Sequence, residues 1–213
     1  MLVAIAGGHG QIALHLTRLL SGSGDEVRSL IRNPDHAQDV EAAGGQPVVC
    51  DLEHDGEAVV ATAIEGADAV VFAAGAGPGS GAERKDTMDY GGAVKLIAAA
   101  KAAGARRYVI VSSINADPDA PGDDTFAVYL RAKGRADAAV RESGLDYTIV
   151  RPGALTNEPG TGLVATEGTG EIPREDVAAT LVAVLADDGT VGSEFDLIGG
   201  DVPIADALSR ARD

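Results

Sequence analysis

The chain has 213 residues and carries 17 Lys and Arg against 33 Asp and Glu, a net charge of −16 at pH 7 that repels nucleic-acid phosphates and anionic membranes. We therefore predict no nucleic-acid partner and no membrane partner, and the lack of a basic leader or of an apolar run of roughly 20 residues favours a cytoplasmic protein. Apolar residues at 45% and charged residues at 23% are near globular averages, which predicts one domain with a sizeable core, and the lone Cys50 excludes an intramolecular disulfide.

The predicted elements alternate along the chain, with short apolar runs followed by longer segments of helical period. The predicted strands are Leu2–Ala6, Glu26–Ile31, Pro47–Cys50, Ala69–Ala73, Arg107–Ser112 and Tyr147–Arg151. The predicted helices are Gln11–Ser21, Asp35–Ala43, Glu57–Ile64, Thr87–Ala103 and Phe126–Ser143. Strands such as VVFAA and YVIVSS are apolar throughout, which is typical of a sheet covered by helices on both faces. The pattern therefore predicts an α/β fold with a doubly wound parallel sheet in three layers, αβα.

The pattern changes after the sixth strand. The elements predicted there are a glycine-rich loop over 152–170, a helix over Arg174–Ala186, a strand over Glu194–Ile198 and a short helix from Pro203. Pro173, Glu175 and Asp176 suit the first turn of that helix, because a missing N–H and negative charges are both favourable there. Residues 152–213 are too short to fold alone, so we expect them to cap the carboxyl edge of the sheet as the substrate side of a single domain, 1–213.

The segment GGHGQIA directly follows the first strand and opens the first helix. Gly7, Gly10 and Ala13 form a G-x-x-G-x-x-A frame, which overlaps a G-x-G-x-x-A frame that begins at Gly8. Glycines let the backbone turn tightly and approach a pyrophosphate, and the helix N-terminus offers free N–H groups to that anion. The position predicts a dinucleotide-binding loop, and the alternative is a turn with a structural role only.

The end of the second strand indicates which dinucleotide is bound. An NAD site places Asp or Glu there to hold the ribose 2′-hydroxyl, whereas an arginine accommodates a 2′-phosphate. Here the strand ends in LIRNP, with Arg32 at this point and no carboxylate before Asp35. The sequence therefore favours NADP(H) over NAD(H). The alternative is that Arg32 is a solvated loop residue.

Several motifs, taken in order, resemble the short-chain dehydrogenase/reductase superfamily in its atypical branch of NAD(P)-binding, epimerase-like and NmrA-like proteins. The matching motifs are GGHGQIA, LIRNP, the Asp51-Leu52 pair, FAAGAG, YVIVSS, Tyr129-x-x-x-Lys133 and TIVRPG. The resemblance covers nearly the whole chain and implies a Rossmann fold with strand order 3-2-1-4-5-6-7. It also implies that the cofactor lies across the carboxyl ends of strands one to four.

The resemblance assigns residues to each part of the cofactor. The implied set, from pyrophosphate to nicotinamide, is Gly7, His9, Gly10, Gln11, Ile12, Arg32, Asn33, Asp51, Leu52, Ala73, Ala74, Gly75, Lys133, Pro152, Gly153 and Ala154. Within it, Arg32 is expected at the 2′-phosphate, Asp51 and Leu52 beside adenine, and 152–154 near the nicotinamide. For some of these residues an interpretation without the cofactor stays open. His9 then is a solvent-facing loop residue, and the small residues at 73–75 serve ordinary packing at a strand end.

Tyr129 and Lys133 are four residues apart and so share one face of a helix. An ammonium group stabilises a nearby phenolate, which suits a tyrosine that exchanges a proton with a substrate. The resemblance adds Ser113 as the serine that holds the substrate oxygen and Lys133 as a ligand of the cofactor ribose. The family's active-site Asn is replaced by Asp89, and Ser113 and Tyr129 are 16 residues apart, which is longer than usual. The alternative for the pair is an amphipathic helix with a surface lysine.

These residues predict an NADP(H)-binding oxidoreductase or epimerase-like enzyme that acts on a small carbonyl or hydroxyl compound by hydride transfer, with Tyr129 as the acid/base. Two rivals remain open, a sugar epimerase or dehydratase that retains its nicotinamide and a non-catalytic NADP(H)-sensing regulator. The chain is expected to be a monomer or a homodimer. No metal is predicted, because the acidic cluster over 117–124 lacks the regular ligand spacing of a calcium loop.

Overall fold

The structure, a computed structural model, describes residues 1–77 and 79–211, so Pro78 of the glycine-rich segment 75–82 and residues 212–213 lie outside the described residues. The strands are β1 (Leu2–Ala6), β2 (Glu26–Ile31), β3 (Gln46–Val49), β4 (Ala69–Phe72), β5 (Arg107–Val111), β6 (Asp146–Pro152), β7 (Ala154–Thr156), β8 (Leu163–Ala165), β9 (Glu171–Pro173), β10 (Ser193–Gly199) and β11 (Val202–Pro203). The helices are α1 (Gln11–Gly22), α2 (Ala37–Ala42), α3 (Glu57–Ala63), α4 (Ala82–Arg84), α5 (Ala93–Ala103), α6 (Thr125–Arg141), α7 (Arg174–Leu185) and α8 (Ile204–Arg210).

A nine-stranded sheet runs in the order β3-β2-β1-β4-β5-β6-β10-β8-β11. From β3 to β10 every neighbouring pair is parallel. The predicted order 3-2-1-4-5-6-7 is therefore confirmed, with β10 as the seventh strand. The carboxyl ends of β1, β2 and β4 meet side by side, with Ala6 in register with Leu30 and with Phe72.

The helices cover both faces of the sheet, as the continuous apolar strands predict. Val3 and Ile5 of β1 are buried on one face together with Leu16 of α1 and Leu181 of α7. Ala4 and Ala6, which point the opposite way in the same strand, are buried on the other face. That second face is covered by α3, α5 and α6, through Val60, Leu96 and Ala136 respectively. The three-layer αβα arrangement is thus confirmed.

The predicted glycine-rich loop over 152–170 is wrong in part, because it contains β7 and β8. Strand β8 pairs antiparallel with β10 and with β11, so the sheet is mostly rather than wholly parallel. Strand β7 pairs with β9 in a separate two-stranded sheet. Each of these short strands has two or three residues, too few to show a period of two, and their pairing depends on partners distant in the chain.

The helix predicted over Thr87–Ala103 begins earlier and changes its winding. It starts as α4, continues as a π-helical segment over Lys85–Gly92 and ends as α5. A π-helix closes its hydrogen bonds from i to i+5, so a search for a 3.6-residue period does not detect it. Met88 and Asp89 of this segment are buried, which directs an acidic side chain into the interior.

The acidic residues at the start of α7 hold a loop in place. Asp176 is 2% exposed and accepts hydrogen bonds from the backbone N–H of Thr161 at 2.9 Å and of Gly162 at 2.8 Å. Glu175 accepts one from the backbone of Gly160 at 2.8 Å. Pro173 immediately precedes the helix. Across the two described ranges, no helix combines the length and the apolarity that crossing a membrane requires.

Candidate active site

The glycine loop between β1 and α1 packs tightly against two neighbouring strands. Gly7 has a φ of +80°, and a Cβ there would lie 2.6 Å from the Cα of Ala74. A Cβ at Gly8 would lie 2.5 Å from the Cβ of Ser29. Gly10 precedes α1, and no side chain caps the helix at that point. The fold itself thus requires these glycines, and the same loop leaves the first-turn N–H groups of α1 open to an anion.

A cavity of about 610 Å³, which we call cavity A, lies over the carboxyl ends of β1 to β4. The residues predicted for the cofactor that line it are Gly7, His9, Gly10, Arg32, Asn33, Asp51, Leu52, Ala73, Ala74 and Gly75. His9 is hydrogen-bonded to Asp39 at 2.8 Å and stacks on His36, with ring centroids 3.6 Å apart. Cavity A extends from the glycine loop to Arg32 and Asp51 at the ends of β2 and β3, which fits a dinucleotide.

A second cavity of about 310 Å³, cavity B, contains the predicted catalytic residues. Those that line it are Ser113, Tyr129, Lys133 and Asp89, together with Ile12, Pro152 and Gly153 from the predicted cofactor set. Cavities A and B share Ala73, Ala74, Gly75 and Gly77, so they adjoin, and we call the two together the groove. Where the two meet, a Cβ at Gly75 would lie 3.1 Å from a carboxylate oxygen of Asp89, which is tighter than an ordinary van der Waals contact.

Two residues of the predicted cofactor set lie away from this groove. Gln11 lines a third cavity, cavity C, between α1 and the start of α7, together with His15 and Arg174. Ala154 is exposed on β7 and pairs with Glu171. For Gln11, the backbone N–H at the start of α1 remains the group that can face a pyrophosphate.

Lys133 and Asp89 form a buried ion pair beneath cavity B. They are 4% and 1% exposed, and the Lys133 Nζ lies 3.4 Å from Oδ1 of Asp89. Lys133 also donates to the carbonyl oxygen of Val111 at 3.0 Å, and Oδ2 of Asp89 accepts from the backbone N–H of Ala76 at 3.1 Å. The alternative of a surface lysine is therefore wrong. The carboxylate at position 89 compensates a buried ammonium, which an Asn could not do.

Two ammonium groups lie over the ring of Tyr129. The Nζ of Lys133 is 5.9 Å from the centre of its ring, and the Nζ of Lys85 is 5.4 Å from it. Ser113 lines the same cavity, and its hydroxyl donates to the carbonyl oxygen of Ile114 at 3.2 Å. Ser112, the residue before it, is buried, and its backbone N–H donates to the carbonyl oxygen of Val150 at 2.7 Å.

Sequence reasoning missed a charge cluster at the end of cavity A that contains Arg32. Oε2 of Glu53 lies 3.3 Å from Arg32 and 3.0 Å from Arg84, and both arginines line the cavity. Burial works to raise the pKa of Glu53, but hydrogen bonds from Thr87 and Arg84 outweigh it, and this pKa lies below its ordinary value. No local signal links Glu53 to Arg84, because they are 31 residues apart.

The other candidates have structural roles. Cys50 lines cavity A, is 3% exposed, and burial raises the pKa of its thiol to about 11. Asp124 of the acidic cluster caps α6 by accepting from the backbone N–H of Ala127 at 2.8 Å. Asp117 accepts from the backbone N–H of Asp119 at 2.9 Å. In the part of the chain that the structure describes, no group of His, Cys, Asp or Glu side chains is arranged to hold a metal ion.

The doubly wound sheet, the glycine loop at its first strand and the groove across the strand ends define a dinucleotide-binding protein of the Rossmann fold. Residues 7–188 match the NAD(P)H-binding family, and the chain belongs to that family.

Three relatives cover the full length of the chain. A Bacillus subtilis protein named uncharacterized sugar epimerase YhfK is 39% identical over 99% of this chain and 100% of its own length. A solved Bacillus halodurans structure, whose name refers to NAD-dependent epimerases and dehydratases, is 38% identical and superposes with a TM-score of 0.91 over 99% of both chains. The oxidoreductase ylbE of Lactococcus lactis is 28% identical, with a TM-score of 0.85 over 99% of this chain and 96% of its own.

Proposed function

We propose that this protein is an NADPH-dependent oxidoreductase that interconverts a small carbonyl compound and its alcohol, with Tyr129 as the acid/base. The observation that carries the proposal is the pair of adjoining cavities, because cavity A fits a dinucleotide and cavity B brings Ser113, Tyr129 and Lys133 together beside it. The family match supports the cofactor class, and the name of the Lactococcus relative supports the type of reaction.

In the direction of reduction, the residues that line cavity A would hold NADPH, which would supply the hydride for the carbonyl carbon. The Tyr129 hydroxyl donates its proton to the carbonyl oxygen, which yields the alcohol and a phenolate that solvent reprotonates. The Ser113 hydroxyl donates a hydrogen bond to the same oxygen. The ammonium groups of Lys133 and Lys85, at 5.9 Å and 5.4 Å from the ring centre, stabilise the phenolate while it is present.

Replacing Tyr129 by Phe tests this role. Turnover should fall by at least about 100-fold, the usual contribution of a positioned acid/base, while NADPH affinity measured by nicotinamide fluorescence stays the same. Unchanged turnover in Tyr129→Phe would remove this residue from the mechanism. Tight NADPH binding without turnover of any aldehyde, ketone or alcohol would favour the sensing regulator instead.

We further propose that the Arg32–Glu53–Arg84 cluster selects NADPH over NADH. Two guanidinium groups share one carboxylate, so the cluster has a net charge of +1 and attracts a 2′-phosphate. Arg32→Met and Arg84→Met should each weaken NADPH binding by about tenfold or more and change NADH binding far less. Arg106→Met is the matched control, because Arg106 is exposed and pairs with Asp146. Equal losses for the two dinucleotides would refute the assignment.

A sugar epimerase that retains its cofactor is the second candidate, favoured by the name of the Bacillus subtilis relative. An epimerase inverts a stereocentre without net consumption of NADPH, and the nicotinamide remains bound after purification. Stoichiometric oxidation of added NADPH by a carbonyl compound excludes this candidate. Isomer interconversion with no change in nicotinamide absorbance supports it.

A further inference from the structure

An apolar cavity of about 350 Å³, cavity D, opens beside the candidate active site and is lined by Lys85, Thr125, Phe126 and Tyr129. Lys85 and Tyr129 also line cavity B, so the two cavities adjoin. The Phe126 side chain is 63% exposed, although aromatic residues make up only 3% of the chain. Its backbone lies in the first turn of α6, which Asp124 caps.

The two aromatic rings of cavity D form a platform. The ring centres of Phe126 and Tyr129 are 6.0 Å apart and the ring planes differ by 29°. This separation lies within the range over which aromatic rings attract one another, and the exposed face of Phe126 leaves room for another planar group. The platform therefore extends from the proposed acid/base to the protein surface.

Lys85 supplies a positive charge at the point where cavities B and D meet. Its Nζ donates to the carbonyl oxygen of Gly77 at 2.9 Å and lies over the Tyr129 ring. Two nearby cations each have a carboxylate partner, Lys133 in Asp89 and Arg135 in Asp86. Within residues 1–77 and 79–211, no ion pair joins Lys85 to a carboxylate. An anionic ligand group can therefore pair with Lys85.

We infer that cavity D is a substrate subsite for an aromatic ring that carries an acidic substituent. The ring stacks on Phe126, the acid pairs with Lys85, and the reactive carbonyl group attached to the ring lies in cavity B at Tyr129. This inference rests on the proposed oxidoreductase function and narrows its substrate class to aryl aldehydes and ketones that bear a carboxylate.

The test compares NADPH oxidation with 4-formylbenzoate, benzaldehyde and butanal in matched variants. Phe126→Ala should lower the ratio of kcat/KM for benzaldehyde to that for butanal by about fivefold, because only the aryl substrate loses a stacking partner. Lys85→Met should lower the ratio for 4-formylbenzoate to benzaldehyde by about tenfold, because only the acid loses its charged partner. Val59→Ala and Lys101→Met change exposed side chains elsewhere and should leave both ratios unchanged.

Either ratio unchanged in its own variant overturns the inference. A loss of NADPH affinity in Lys85→Met would also overturn it, since Lys85 would then hold the cofactor. Calorimetry with 4-(hydroxymethyl)benzoate and the NADP⁺-loaded protein separates the two proposals if no aldehyde is reduced. Binding that weakens in both Phe126→Ala and Lys85→Met keeps the subsite while the reaction fails. Binding that is absent, or equal in all variants, removes the subsite.

Discussion

Replacing Lys133 by methionine should destabilise the protein strongly, because Asp89 is only 1% exposed and would keep a carboxylate without its ammonium partner. Breaking one side of a buried ion pair costs about 3–5 kcal/mol. In a domain of this size each kcal/mol lowers Tm by about 2–4 °C, so the expected loss is about 6–20 °C. The methionine also removes the hydrogen bond to Val111.

A second variant separates this charge effect from a simple loss of packing. Asp89→Asn keeps an oxygen that can accept from the Ala76 N–H but removes the negative charge. The double variant Asp89→Asn/Lys133→Met leaves neither charge unpaired in the interior. Its loss of unfolding free energy should therefore be about 2 kcal/mol smaller than the sum of the losses in the two single variants.

Urea unfolding followed by circular dichroism gives the free energy of unfolding of the four proteins in this cycle. Lys101→Met, an exposed lysine on α5, serves as the control and should change stability by less than about 0.5 kcal/mol. Additive single costs would refute the reasoning, because they would mean that Lys133 and Asp89 do not stabilise one another. A Lys133→Met cost below about 1 kcal/mol would refute it as well.

Three further outcomes follow from the described contacts. Burial raises the pKa of the Cys50 thiol to about 11, so iodoacetamide at pH 8 should alkylate it in urea but hardly at all in the native protein, as mass spectrometry will show. The pKa of Glu53 is lowered in the folded state, so the contribution of this carboxylate to stability is complete above its unfolded pKa of about 4.3 and is lost as the pH falls. The Glu53→Gln variant should therefore lose less stability than the parent protein between about pH 5 and 3, as measured by urea unfolding. Asp176 accepts hydrogen bonds from the backbone N–H groups of Thr161 and Gly162, so Asp176→Ala should increase the rate of amide hydrogen exchange at these two residues and leave the rate in β1 unchanged.

The main elements of the fold are predictable because each has a local signal, a short apolar run for a strand or a helical period for a helix. The bounds of β1 and β2 agree with the predicted Leu2–Ala6 and Glu26–Ile31, and the strand order follows from the resemblance. The differences lie where local period carries no information. Strand β8 gains its structure from β10 and β11, and the Lys85–Gly92 segment departs from the 3.6-residue repeat.

The residues of the candidate site also fall into two groups, those that a local motif predicts and those that only the tertiary structure brings together. The glycine loop, Arg32 and the Tyr129 and Lys133 pair were found because each is a short motif at a strand end or on one helix face. Asp89 was noted as a departure from the family, but its role as the counter-ion of Lys133 depends on a contact across 44 positions of the chain. Glu53 and Arg84 carry no motif and were missed.

The sequence by itself determined the layers of this protein and the edge of the sheet where its groove lies. Apolar runs, helical periods and glycines act within a few residues, so their consequences can be derived from neighbours in the chain. Only the tertiary structure decided which charges neutralise one another. Lys133 pairs with Asp89, whereas no carboxylate among residues 1–77 and 79–211 forms an ion pair with Lys85 beside Tyr129, because ion pairing depends on distances in space and on burial.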